Sequence, residues 1–158
     1  MLRTHGVVLA TLIIARCGDP ATAPTPVPSV HLELRIASGD VVEAFASAHN
    51  AQAQPIYYAA GCGAEDGIWF DVIGPDGRAV SVTPPGVRPA CATAMAMLAP
   101  RARLESSLRF DGTLYDRLGQ PYAAPAGRYF VIARFRWWPT PAATESVVLE
   151  EREAFLWD

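Results

Sequence analysis

Three cysteines, three histidines, a serine pair and one acidic cluster are the groups in this 158-residue chain whose chemistry reaches beyond packing. Cys62 and Cys91 belong to no Cys-x-x-Cys unit and have no histidine near them, so their spacing matches no zinc pattern. In an exported protein an isolated pair reads as a disulfide, which in the chain-entropy account stabilises the fold by about 3–4 kcal/mol; a redox pair is the sharper alternative. His31 and His49 each fall on a predicted strand, where a lone histidine is more often a surface or satisfied group than a ligand. Ser106 and Ser107 lack the Gly-x-Ser-x-Gly elbow of a hydrolase nucleophile. The glycine-rich run Gly61 to Gly67 has neither the Lys-Ser/Thr of a phosphate loop nor Gly-x-Gly-x-x-Gly spacing. Glu65, Asp66 and Asp71 could gather a calcium ion, but no loop pattern requires it. The expectation is no catalytic residue, no metal, no cofactor and no enzyme; an envelope enzyme with an unrecognised site is the alternative from another class.

Recognition chemistry is better represented. Tyr57-Tyr58, Trp69 and Trp137-Trp138 are large aromatics in or beside predicted strands. Adjacent strand residues face opposite ways, so one member of each pair should point out of the core. The pattern places Trp137 inside and Trp138 outside, next to Arg134 and Arg136. Tryptophan among arginines makes Trp138, Arg134 and Arg136 the candidate binding residues, for a protein or glycan partner. The alternative is that a second layer, such as the C-terminal segment, covers them.

The element that positions this trio is the stretch from Pro125 to Trp138. Tyr129, Val131, Ala133, Phe135 and Trp137 form a fully apolar alternate set, while the intervening set carries three arginines. Period two with one apolar face predicts a strand on a core, fed by the Pro125–Gly127 turn and stopped by Pro139 and Pro141. Val30 to Ala37 alternates in the same way. In Val41 to Ala48, residues Val42, Ala44, Ala46 and Ala48 make one small-residue face. Leu104, Ser106, Leu108 and Phe110 share one side of another strand. Ile68–Ile73 and Arg78–Val82 flank Gly74-Pro75-Asp76-Gly77, whose proline and glycine suit a type I turn, so a hairpin is expected here. Ala92 to Leu98 reads as a short strand with Met95 and Met97 as core filler. Glu145 to Trp157 has no clean period and reads as a strand, although a helix would accept Leu149 to Ala154. Together these predict an all-β fold, an immunoglobulin-like antiparallel β-sandwich of about seven to nine strands.

Ahead of the sandwich lies an apolar run, Val7 to Ala15, preceded by Arg3 and His5 and followed by Arg16-Cys17. Nine residues are too few to cross a bilayer core of about 30 Å as a helix but suit the apolar region of a signal peptide. Leu12-Ile13-Ile14-Ala15-Arg16-Cys17 resembles a bacterial lipoprotein signal, with Arg16 replacing the small residue that usually precedes the lipidated cysteine. Residues 18–28 hold four prolines among small residues and favour an extended tether. The expected organisation is a signal peptide at 1–16, a tether at 17–28 anchored through lipid on Cys17, and a domain at 29–158. That places the protein at the bacterial cell envelope, membrane-attached, or secreted. The formal net charge of −3 and the scatter of the arginines offer no basic stripe, which argues against nucleic acid.

Several pieces resemble the BsuPI-type intracellular proteinase inhibitor domain and similar immunoglobulin-like domains of exported lipoproteins. They are Phe45 to Asn50 leading to Pro55-Ile56-Tyr57, Phe70-Asp71-Val72 with Asp76-Gly77, Leu98-Ala99-Pro100, and Gly119 followed by Pro125 to Val131. Arg101 and Phe110 depart from the usual glycine and tryptophan of that family. The resemblance implies a sandwich and suggests a secreted proteinase inhibitor as the alternative function, although no segment matches a protease-contacting motif.

Overall fold

The computed structural model describes residues 29–60, 67–85 and 94–158. Cys17, Cys62 and Cys91, with residues 1–28 and the acidic pair Glu65 and Asp66, lie outside the described residues. In chain order the strands are β1 (Val30–Ala37), β2 (Val42–Asn50), β3 (Ile56–Ala60), β4 (Ile68–Ile73), β5 (Ala79–Val80), β6 (Ala94–Leu98), β7 (Arg103–Phe110), β8 (Thr113–Tyr115), β9 (Pro121–Ala123), β10 (Gly127–Trp138) and β11 (Val147–Trp157). One sheet runs β1-β2-β7. The other runs β5-β4-β10-β3-β6 with β11 on the second edge of β10, and β8-β9 form a separate ribbon. Every pairing is antiparallel. The chain is thus an all-β antiparallel sandwich. The eleven strands among the described residues exceed the expected seven to nine because β8 and β9 are only three residues long, too short for alternation to mark them.

The core forms where the alternating faces meet. Val42, Ala44, Ala46 and Ala48 on β2 are all buried, as are Tyr129, Val131, Ala133 and Phe135 on β10. All eight belong to one contiguous core, and the small residues of β2 complement the large ones of β10. Full burial of a large apolar side chain contributes roughly 1.5–3 kcal/mol. At one end Phe110, Tyr129, Phe155 and Trp157 pack as an aromatic cluster, with Phe110 at 4.9–5.4 Å from the other three ring centroids. The expected hairpin is present. Gly77 N–H donates to Gly74 O at 3.0 Å, and Gly77 takes φ +78°, a left-handed value that glycine adopts without Cβ strain.

Two polar devices hold the ends of strands. The Tyr129 hydroxyl donates to Pro125 O at 2.8 Å, the tyrosine corner that recurs in immunoglobulin-like sandwiches. Asn50, the sole asparagine of the chain, is fully buried. Its Nδ2 donates to the carbonyls of Gln54, Leu98 and Ala99, and its Oδ1 accepts from Gln52 N–H. Beside it, Ala102 N–H donates to Ala99 O and Arg101 N–H to Asn50 O. Arg101 has φ +62° behind Pro100, the geometry of a type II turn, where glycine is the usual occupant.

Burial raises the Tyr129 phenol above its ordinary value, with smaller contributions from Tyr122 and Asp76. A group whose folded-state pKa is raised stabilises fully below its unfolded pKa, and that stability is lost as pH rises through the folded value. Stability should therefore fall above about pH 10, where ionisation also removes the donor to Pro125. Tyr129→Phe should cost roughly 1 kcal/mol at neutral pH and flatten this alkaline decline. Urea titrations across the alkaline range, comparing both chains, measure the effect; parallel declines would show that other groups cause it.

Candidate interaction surface

Alternation on β10 sends its second set of side chains to the outer face of the large sheet. Pairing then decides their neighbours. Trp138 lies opposite Tyr57, and Tyr57 opposite Met97, so three strands contribute one transverse row. Met97 is 58% exposed, and Met95, on the same side two residues earlier, is 41% exposed. These methionines are surface residues, which corrects the expectation of core filler. The register of β6 against β3 buries Leu98 opposite Ile56 and necessarily turns Met97 outward.

Trp137 faces inward, packs against the core and pairs with Tyr58, whose ring sits 6.0 Å from that of Phe135. Trp138 is half-buried on the outer side. The C-terminal segment does not lie over it: β11 runs alongside β10 in the same sheet, paired from Gly127–Trp157 to Trp137–Val147.

The three candidate binding residues differ in their surroundings. Arg134 is held between two carboxylates, donating through Nε to Glu150 at 2.7 Å and through Nη1 to Asp71. The hydrogen bond to Glu150, followed by the charges of Glu150 and Asp71, pushes the guanidinium pKa further up. Asp71, one of the three residues considered for calcium, is thus engaged by an arginine. Arg136 is exposed, has no carboxylate partner among the described residues, and places its guanidinium 5.8 Å from the Trp69 ring centroid. Further along β10, Phe130 is flanked by the guanidiniums of Arg152 and Arg128 at 3.8 and 5.1 Å. The outer face therefore grades from satisfied arginine pairs to an open aromatic and methionine end.

The divergence of β3 from β4 creates that open end. Tyr58 lies opposite Trp137 and Ile68 opposite Phe135, so ten residues on one side are spent against two on the other. β3 leaves β10 after Tyr58 and continues along β6 through Ala60. No single-strand pattern signals this excursion, so Met97 could not be placed beside Trp138 from sequence. Among the described residues no group of three or more His, Cys, Asp or Glu side chains is arranged to hold a metal.

No protein-family model matches the chain, and no curated protein matches it. Among solved structures, similar ones include a protein from Archaeoglobus fulgidus (13% identity, 82% of this chain and 96% of that one, TM-score 0.37). The GAE domain of GGA2p from Saccharomyces cerevisiae is similar over 85% of this chain and 94% of its own, at 13% identity and TM-score 0.31. A β-glucosidase from Listeria innocua in complex with gluconolactone is similar at 12% identity and TM-score 0.32, over 77% of this chain but only 16% of the enzyme.

Proposed function

We propose that this chain is a non-catalytic lipoprotein of the bacterial cell envelope whose immunoglobulin-like domain binds a protein partner. The observation that carries the reading is the outward-facing row of exposed Met97 and half-buried Tyr57 and Trp138, with the Arg136–Trp69 pair beside it. Tryptophan, tyrosine, methionine and arginine are the residue types enriched at the centres of protein interfaces. The tether reading rests on Cys17 behind a short apolar run and ahead of four prolines.

Two variants test the two halves separately. Cys17→Ser should abolish incorporation of a fatty-acid analogue in growing cells, and equal labelling of both chains would remove the anchor. Trp138→Ala combined with Met97→Glu should weaken partner retention by roughly thirtyfold, the effect of losing about 2 kcal/mol from a hot spot. Arg109→Glu, exposed on the opposite sheet, should leave retention unchanged.

A further inference from the structure

The opposite face of the sandwich carries a surface of different chemistry. Across β1, β2 and β7 lie two rows in register, Glu33–Ser47–Glu105 and Arg35–Phe45–Ser107. With Arg103 they line an open cavity of about 480 Å³, inside the range of small-molecule sites. Phe45 is 47% exposed and is the only large apolar side chain in either row. On the central strand of an otherwise polar face, it adds nothing to the core. Ser47 Oγ lies at the floor, buried and without a hydrogen-bond partner among the described residues.

The lining narrows the ligand class. Glu33 and Glu105 set against Arg35 and Arg103 leave the cavity without net charge, so an ionic ligand meets repulsion as well as attraction. A neutral ligand bearing many hydroxyls instead meets carboxylate acceptors, guanidinium donors and serine hydroxyls that do both. An accessible ring offers its electron-rich face to polarised C–H groups. A pyranose presents that combination, with C–H groups on one face and hydroxyls around its rim. Arg35 and Glu33 touch at 3.4 Å with both side chains largely exposed, so either can turn toward a ligand at little cost.

We infer that the β1-β2-β7 face binds a neutral oligosaccharide, with one sugar ring stacked on Phe45 and its hydroxyls held by Glu33, Glu105, Arg103 and Ser107. This site is separate from the protein-binding row on the other sheet, and either can fail without the other. The test is titration of the full chain with short neutral gluco-, manno- and chito-oligosaccharides, followed by NMR and calorimetry. At least one series should bind saturably with Kd on the order of 1 mM. Phe45→Ala should weaken binding roughly tenfold or more, and Ser107→Ala by a smaller factor. Trp138→Ala should leave it unchanged, and because Phe45 is exposed, melting curves should show its variant folded. Absence of saturable binding by every series at the highest soluble concentration overturns the inference. So does binding that survives Phe45→Ala, or stronger binding of acidic than of neutral oligosaccharides.

Discussion

Replacing Asn50 with alanine should lower the unfolding free energy by about 3–5 kcal/mol, the largest loss expected from any single polar substitution in the described residues. The carboxamide makes four hydrogen bonds, to Gln54 O, Leu98 O and Ala99 O and from Gln52 N–H. Each contributes about 1 kcal/mol net, but a buried partner left without its bond costs about 1–3 kcal/mol. Gln54 O, Leu98 O and the Gln52 amide would lose this partner together, while Ala99 O keeps its bond from Ala102 N–H. The bonds also join the end of β2 in one sheet to the end of β6 in the other, so their loss loosens the junction between layers. Asn50→Asp keeps the shape but aims a carboxylate at three carbonyl oxygens. Its charged form is disfavoured in the folded state, so that variant should regain stability as pH falls, the reverse of a normally paired carboxylate. Urea midpoints at fixed m-value report both effects. A loss under about 1 kcal/mol for the alanine variant would mean that water replaces the carboxamide freely.

Gly112→Ala should destabilise by about 2–5 kcal/mol. Gly112 has φ +83°, and a Cβ there would lie 2.2 Å from Trp157 Cζ2 and 2.9 Å from its Cε2. The left-handed conformation costs a side chain roughly 1–2 kcal/mol, and forcing the indole aside adds an overpacking cost of about 1–3 kcal/mol. Trp157 packs edge-on against Phe110 at 4.9 Å, so displacement should pass into the aromatic cluster and change the near-ultraviolet dichroism. Gly77 isolates the two contributions. It has φ +78° but no atom within 4 Å of an added Cβ, so Gly77→Ala should show the conformational cost alone. Equal losses at the two sites would contradict the packing argument.

Legibility in the sequence followed burial. β1, β2 and β10 each bury one face and β7 half-buries one, and period-two alternation marked them and sorted Trp137 from Trp138. β11 resisted because Glu151 and Glu153 share the core-facing parity of Leu149 and Phe155 yet are exposed. Charges pointing inward along an edge strand guard against edge-to-edge pairing and erase the alternation that would reveal the strand. The two surfaces were legible only in part. Trp138 and Arg136 could be set on an outer face, but Met97 joins them through the β3–β6 register. Likewise His31 and His49, treated separately in the sequence, prove to be cross-strand partners with ring centroids 6.5 Å apart. Phe45 and Ser47 stand out only once β1 and β7 flank β2.

Contact of a protein partner with the open end of the large sheet, as proposed above, can be read directly in cells. A photo-activatable cross-linker at Met97, compared with one at Glu43 on the outer side of the β1-β2-β7 sheet, tests it in growing host cells. One discrete cross-linked species is expected from position 97, lost when Trp138→Ala is added, and none from position 43. Cross-linking from position 43 alone, or from neither position, would contradict it.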